Sequence, residues 1–311
     1  MSQLKLARSV LLLLTLIGLA GCASTPIVYP DVTPPLADGL THGPGDAAHG
    51  PVIALVLGGG ASRGFAHVGA IEELERNGIL PSVVVGTSAG SFVGALYAGG
   101  YSGGALQYIA DGMSEDELRD LVLPNRGFVR GERLQDFVNR YLDDRSIEAL
   151  PRRFAAVATD LRTGDAVAFN RGNTGMAVRA SSSIPGVFQP VRIRGRDYVD
   201  GGLVSPVPVR TARNMGADIV IAVDVARHPE HAAKLDTIAE ILVQSLAIMG
   251  RYVGQDERAE ADVLIEPEVN EIGTFDFERR RMAMQAGGQA TRGAIPAIRA
   301  AIAKAAERAA K

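Results

Sequence analysis

An apolar run, Val83-Val84-Val85, leads into Gly86-Thr87-Ser88-Ala89-Gly90 and then into a helix-like stretch from Ser91 to Ala98. Strand, tight turn and helix in that order are what a G-x-S-x-G nucleophile elbow needs. Small residues around Ser88 let the backbone bend sharply and leave the hydroxyl exposed. In a chain with 36 glycines the five-residue pattern alone is a modest signal. Its flanks make Ser88 a candidate nucleophile.

A serine hydroxyl is a poor nucleophile at neutral pH and needs a base. The five histidines supply none with a convincing context. His42 and His49 lie in a Pro/Gly-rich segment, and His228 and His231 lie in a polar loop, A-R-H-P-E-H. His67 begins a helix after a glycine loop and reads as a packed or capping residue. Only His228 fits a Ser…Asp…His order. A carboxylate is the other candidate. Asp200 follows the strand-like run Arg196-Asp197-Tyr198-Val199 and precedes Gly201-Gly202. Two glycines after an acid allow a close approach and a turn at a strand end. The plain alternative is an Asp-Gly turn between strands. Asp160 and Asp224 compete, and both read as strand caps or acceptors for loop amides.

Val52 to Leu57 is a buried-strand pattern that runs into Gly58-Gly59-Gly60-Ala61-Ser62-Arg63-Gly64 and a helix, Phe65 to Asn77. A glycine loop between strand and helix gathers backbone N–H groups near the helix's positive end, which suits a phosphate or an oxyanion. A Walker A loop requires Lys-Ser/Thr after its last glycine, but Phe65 follows Gly64. A dinucleotide fingerprint from Gly58 would end on Arg63. An oxyanion hole remains, from Gly58, Gly59 and Gly60, with the Ala89 N–H as the natural second contributor.

The loop G-G-G-A-S-R-G-F-A-H-V-G, the elbow G-T-S-A-G, the segment R-A-S-S-S-I-P-G-V-F-Q-P at 179–190 and D-G-G at 200–202 together resemble the patatin-like phospholipase family. The similarity runs from about Ile53 to about Arg292. It implies a three-layer α/β/α domain with a largely parallel central sheet. It also implies a Ser–Asp dyad without histidine, with Ser88 as nucleophile, Asp200 as base and Gly58 to Gly60 as the oxyanion loop. Arg63 falls where the family carries Arg or Lys; it supports an anion there or fixes the loop through a salt bridge. The implied activity is acyl hydrolysis of phospholipid or lysophospholipid esters, with no cofactor and no metal. The alternatives are an acyltransferase on the same fold and a non-catalytic envelope lipoprotein that binds lipid or protein.

Lys5 and Arg8 precede an apolar run, Val10 to Leu19, which is too short for a confident spanning helix and is laid out as a signal peptide. It ends Leu19-Ala20-Gly21-Cys22, which resembles the lipobox of bacterial lipoproteins. Residues 1–21 are then a lipoprotein signal peptide, and residues 22–51 a lipidated Cys22 with a flexible tether. Multiple acyl chains on Cys22 would anchor the protein stably. Ala23 after the cysteine is consistent with delivery to the outer membrane, and the expected location is its periplasmic face in a bacterial envelope. Cys22 is the only cysteine, so no disulfides are expected. The tether, rich in Pro and Gly, would reach on the order of 30 Å.

Residues 52–311 form the expected catalytic domain. Strand-like runs at Val52–Leu57, Val83–Gly86, Phe154–Thr159, Val191–Ile193, Tyr198–Asp200, Ile219–Asp224 and Val263–Ile265 alternate with helical runs such as Leu134–Leu142, Thr174–Ser181, Val209–Met215 and Ile238–Tyr252. The alternation predicts an α/β domain with a largely parallel sheet. The Ala-rich tail, Ala283 to Lys311, predicts a helix that Pro296 breaks or kinks. The precursor's net charge of −3 and the absence of a basic run argue against a nucleic-acid partner. His228-x-x-His231 lacks further metal ligands. Ile184, Val187 and Phe188 are either groove or core. Gly99-Gly100-Tyr101-Ser102-Gly103-Gly104 is either a mobile gate or an ordinary helix–helix loop.

Overall fold

The computed structural model describes residues 50–309 apart from 115–116, 119, 121–128, 229, 231–235 and 237. The signal peptide, Cys22, nearly all of the tether, His42, His49 and His231 lie outside the described residues. The strands are β1 (Ile53–Leu57), β2 (Val83–Thr87), β3 (Arg153–Asp160), β4 (Ala166–Phe169), β5 (Val191–Ile193), β6 (Arg196–Asp200), β7 (Ile219–Val223) and β8 (Val263–Ile265). The helices are α1 (Phe65–Arg76), α2 (Ala89–Ala98), α3 (Gly103–Gly112), α4 (Glu132–Tyr141), α5 (Thr174–Ser181), α6 (Val209–Asn214), α7 (Ile238–Val253), α8 (Gln255–Ala259) and α9 (Arg280–Ala309). All strands join one sheet in the order β5-β6-β3-β2-β1-β7-β8, with β4 on β3. The pairs β3–β2, β2–β1, β1–β7 and β7–β8 are parallel, and β4, β5 and β6 pair antiparallel.

Successive side chains of a strand point to opposite faces, and the apolar runs feed two layers. Leu55, Leu57, Val84, Ile219 and Ile221 pack with α1, α2 and α9 on one side. Ala54, Val56, Val83, Val85, Val220 and Ala222 meet Val209, Ala212 and Met215 on the other. Strands covered on both faces read as continuous apolar runs, which is why β1, β2 and β7 stand out in the sequence. Burying each large aliphatic side chain contributes roughly 1.5–3 kcal/mol.

The edge of β3 positions the site. At Ala156, β3 is flanked by Phe169 of β4 and Gly86 of β2; at Ala158 it is flanked by Val167 of β4 and Asp200 of β6. Strand β4 keeps one edge throughout, so β2 and β6 share the other. Running in opposite directions, they end head to head, with Thr87 beside Val157 and Asp200 beside Ala158.

Strand β4 is absent from the sequence-based assignment. Its four residues, Ala-Val-Ala-Phe, are too few to show a period. The tail is helical as expected, beginning at Arg280, but α9 continues through Pro296, so the proline does not break it. A proline removes one hydrogen bond and clashes with the carbonyl four residues back. Here burial of Ile295 and Ile298 on either side holds the helix together. Its first half crosses α1 so tightly that a Cβ on Gly69 would lie 1.8 Å from the Met284 carbonyl oxygen. Among the described residues, no helix is long and apolar enough to cross a membrane.

Candidate active site

Ser88 sits between β2 and α2 with φ 54° and ψ −124°. A serine rarely adopts positive φ, and such a backbone persists only where its surroundings over-determine it. The Ser88 N–H donates to Ser181 Oγ (2.8 Å), and Ser181 Oγ donates to the Val157 carbonyl (2.5 Å). The Ser88 carbonyl accepts the Ser91 N–H (2.8 Å) and hydroxyl (2.7 Å). The flanking glycines are sterically required. A Cβ on Gly86 would lie 2.4 Å from the Gly90 carbonyl oxygen, and one on Gly90 would lie 2.0 Å from that of Leu57.

Asp200 is brought to Ser88 by the head-to-head meeting of β6 and β2. The Ser88 hydroxyl comes close enough to its carboxylate to draw the carboxyl's pKa down, and the Gly202 N–H donates to Asp200 Oδ1 (2.7 Å). The backbone is fixed by Asp200 N–H to Ser183 O (3.0 Å) and Thr159 Oγ1 to Asp200 O (2.8 Å). Gly201 lies against β3, where a Cβ would meet the Val157 carbonyl oxygen at 2.2 Å. The D-G-G sequence therefore reflects close packing of the strand end. Burial pushes the Asp200 carboxyl up to about 6, against the opposing pull of the Ser88 and Gly202 hydrogen bonds. That makes it a stronger base than a free aspartate, still mostly ionised at pH 7.

The glycine loop departs from expectation. The Gly58 N–H donates to Val223 O (2.9 Å) and the Gly59 N–H to Pro206 O (2.9 Å), so neither is available to an oxyanion. These two glycines extend the hydrogen bonding of β1 and shape the loop. The N–H groups of Gly60, Ala61 and Ala89 take no protein acceptor among the described residues, and all three residues line the space around Ser88. Ala61 was missed in the sequence, although it directly follows the three glycines. Arg63 is 7% exposed. Its Nε donates to Val225 O (3.0 Å), with a longer contact from its guanidinium to Ile272 O (3.4 Å). It fixes the loop through carbonyls, where a salt bridge was the expected means. Burial, with help from nearby Arg227, lowers its pKa to about 10. His67 is fully buried with Nε2 2.8 Å from Gly58 O, and burial lowers its pKa to about 4. It is a neutral strut under the loop.

Two chambers of similar size, about 140 and about 130 Å³, meet at Ser88. Among the described residues the first has no charged side chain in its lining; Phe65, Phe92, Leu96, Leu106, Leu134 and Phe188 form much of its wall. Ile184 and Phe188 face it as groove residues. Val187 does not line it, and its carbonyl accepts the Val129 N–H. The second chamber lies between the glycine loop, the D-G-G turn and α7, and is lined by Arg63, Arg227, Arg251 and Arg258 together with Asp200 and Asp224. Ala61, Ser88, Ile184 and Thr274 belong to both walls.

The rival residues have other partners. Asp160 pairs with Arg196 (2.9 Å) and caps the Arg162 and Thr163 amides. Asp224 pairs with Arg258 at 2.6 Å. His228 pairs with Glu230 (3.0 Å) and lines neither chamber. Gly99–Gly104 joins α2 to α3, with Ser102 Oγ accepting from Ala105 N–H (3.3 Å) and the Tyr101 hydroxyl donating to Tyr141 O (2.7 Å). It lines neither chamber, which is the ordinary-loop outcome. Among the described residues, no group of three or more His, Cys, Asp or Glu side chains is placed to hold a metal ion.

A family model described as patatin-like phospholipase matches residues 55–213, a span that holds the loop from Gly58, the elbow and Asp200. An uncharacterized NTE family protein of Mycobacterium tuberculosis is 32% identical over 280 residues, covering 80% of this chain and 47% of that one. Patatin-like phospholipase domain-containing protein 6 of Mus musculus is 34% identical over 189 residues, covering 58% of this chain and 14% of that one. This chain thus spans less than half the length of these relatives. Among solved structures, VipD from Legionella pneumophila is similar with a TM-score of 0.55 at 14% identity, covering 78% of this chain and 66% of that one. That likeness is one of fold.

Proposed function

The chain belongs to the patatin-like phospholipase family, and from that premise we propose that it is a serine lipid acyl hydrolase acting through Ser88 and Asp200. The observation that carries this reading is the approach of the Ser88 hydroxyl to a buried carboxylate at the junction of two strand ends. Asp200 accepts the Ser88 proton as Oγ attacks the ester carbonyl, with catalytic hydrogen bonds expected at roughly 2.6–3.2 Å. The tetrahedral oxyanion is met by the unpaired N–H groups of the loop after Gly59 and of Ala89, which sits at the positive end of α2. Asp200 returns the proton to the leaving alcohol, and an acyl-serine remains. Water then attacks the acyl carbon, Asp200 takes its proton and passes it to Ser88 Oγ, and the fatty acid leaves.

A fluorophosphonate probe with lipid product analysis tests the reading. Wild type is expected to be labelled and to release fatty acid from a phospholipid or lysophospholipid ester, and Ser88→Ala to do neither. A folded Ser88→Ala protein that keeps full activity overturns it. Acyl transfer to an added alcohol in place of free fatty acid would move the assignment to an acyltransferase.

The same proposal extends to location: Cys22 is lipid-modified and tethers the domain in a bacterial envelope, at the periplasmic face of the outer membrane. Its support is the lipobox-like Leu19-Ala20-Gly21-Cys22 behind a short apolar run. Labelled palmitate is expected to enter the wild type and not Cys22→Ala; entry into both, or neither, overturns it.

A further inference from the structure

The acyl-hydrolase reading leaves one half of the site unused, and the inference here rests on that reading. An ester whose carbonyl lies at Ser88 extends in two directions, because Ser88 belongs to the walls of both chambers. The chamber without charged side chains suits the acyl chain. The other chamber receives whatever the leaving alcohol carries.

The charges of that second chamber do not cancel. Arg258 and Asp224 satisfy each other at 2.6 Å, and Arg63 is fixed on the Val225 and Ile272 carbonyls. Asp200 is occupied by Ser88 and Gly202. Arg227 and Arg251 remain. Neither makes a hydrogen bond or ion pair among the described residues, and both are only partly exposed. Arg227 is near enough to Arg63 to lower its pKa, and its own falls through burial. A partly desolvated guanidinium beside a second one, with no anion, is an arrangement that a bound anion completes. The two come from separate places, Arg227 after β7 and Arg251 near the end of α7. The same helix brings Gly250 over the D-G-G turn, where a Cβ would lie 3.0 Å from the Gly202 carbonyl oxygen. Loop and helix thus set two forks at the leaving-group side of Ser88.

We propose that this chamber is a headgroup pocket in which Arg227 and Arg251 bind the phosphate of an acidic glycerolipid, selecting lipid esters with an anionic headgroup over those that also carry an ammonium. An ammonium would bring a further cation into a compartment that already has unpaired ones, and this repulsion gives the discrimination. A phosphate close to the scissile ester accepts bidentate hydrogen bonds from a guanidinium.

The test uses Ser88→Ala protein, so that ligands are not consumed, and monomeric dihexanoyl phosphatidylglycerol and dihexanoyl phosphatidylcholine below their micellar concentrations. The acyl chains are identical and no bilayer surface is present, so calorimetry reads the headgroup alone. The phosphatidylglycerol is expected to bind at least tenfold more tightly. Adding Arg227→Gln or Arg251→Gln is expected to remove most of that ratio, with Arg251→Lys retaining part of it. Equal binding of the two lipids, or an unchanged ratio in the Gln variants, overturns the proposal. Inorganic phosphate that binds as tightly as the lipid marks a free-anion site and overturns it as well. Turnover by the Ser88 chain separates this proposal from the one beneath it. Serine-dependent hydrolysis with a headgroup ratio indifferent to both arginines leaves the hydrolase standing and removes the pocket. Absence of any lipid turnover removes the hydrolase, while the binding ratio is still read on its own.

Discussion

The two chambers that meet at Ser88 are nearly equal in size and opposite in chemistry. The apolar one is walled by residues of α1, α2, α3 and α4 that continue the main core. On the proposed reading it would select by shape, because a methylene in an apolar pocket is worth only about 1–3 kcal/mol of discrimination. The other is walled by two glycine turns and α7 and holds more cations than their partners use. On the proposed reading it would select by charge, which acts at longer range and depends on salt. Ser88 stands where one lining gives way to the other.

The largest effect breaks the junction itself. Ser88→Ala or Asp200→Asn is expected to lower kcat/KM by at least ~10³-fold for every ester, whatever its headgroup or chain. Equal loss across a substrate panel would show that the two chambers serve one reaction. Next comes the apolar side: Leu134→Trp, which fills part of its wall, is expected to reduce turnover of long acyl chains about tenfold relative to short ones, without altering the headgroup ratio. A shift in headgroup preference instead would mean that the two compartments are not separate.

The dyad carries a pH signature that distinguishes it from the arginines. With Asp200 raised from 3.8 to about 6, activity is expected to rise through pH 6 and level off above it, for neutral and anionic esters alike. The same shift has a stability consequence. The folded state holds this proton more tightly than the unfolded chain, so the stabilisation is fully present below pH 3.8 and is lost as pH rises through 6. Asp200→Asn is therefore expected to be more stable than wild type at pH 8 by on the order of 3 kcal/mol, read by chemical denaturation, with the gap closing near pH 4. A variant equally stable or less stable at pH 8 would contradict burial as the origin of the shift. The smallest effect is ionic. Raising salt from about 0.05 to about 0.5 M is expected to weaken turnover of anionic esters severalfold and leave neutral ones nearly unchanged, read as the ratio of kcat/KM.

The same contrast separates what the sequence shows from what it hides. Strands β1, β2 and β7 are legible because both faces are buried and nearly every residue is apolar. Ser88, Asp200 and the glycines around them stand out because close packing allows little else at Gly86, Gly90 and Gly201. What stays hidden depends on residues far away in the chain. The sequence cannot show that Val223 O and Pro206 O use the amides of Gly58 and Gly59. Nor does A-R-H-P-E-H, read alone as a polar loop, reveal that Arg227 faces the nucleophile's chamber. Strand β4 escapes because it is short, and the unbroken α9 because buried neighbours outweigh the proline. The apolar chamber is assembled from helices whose own pattern announces burial; the charged one is assembled from loops whose pattern announces solvent.

The head-to-head meeting of β2 and β6 has a consequence for the chain before it is fully folded. A sheet that has gathered only β1, β2 and β3 has its serine but no base, because the carboxylate arrives about a hundred residues later on a strand that can dock only where β2 has stopped. On the proposed mechanism, splitting the dyad across one strand's edge leaves a partly folded chain with its nucleophile and without its base.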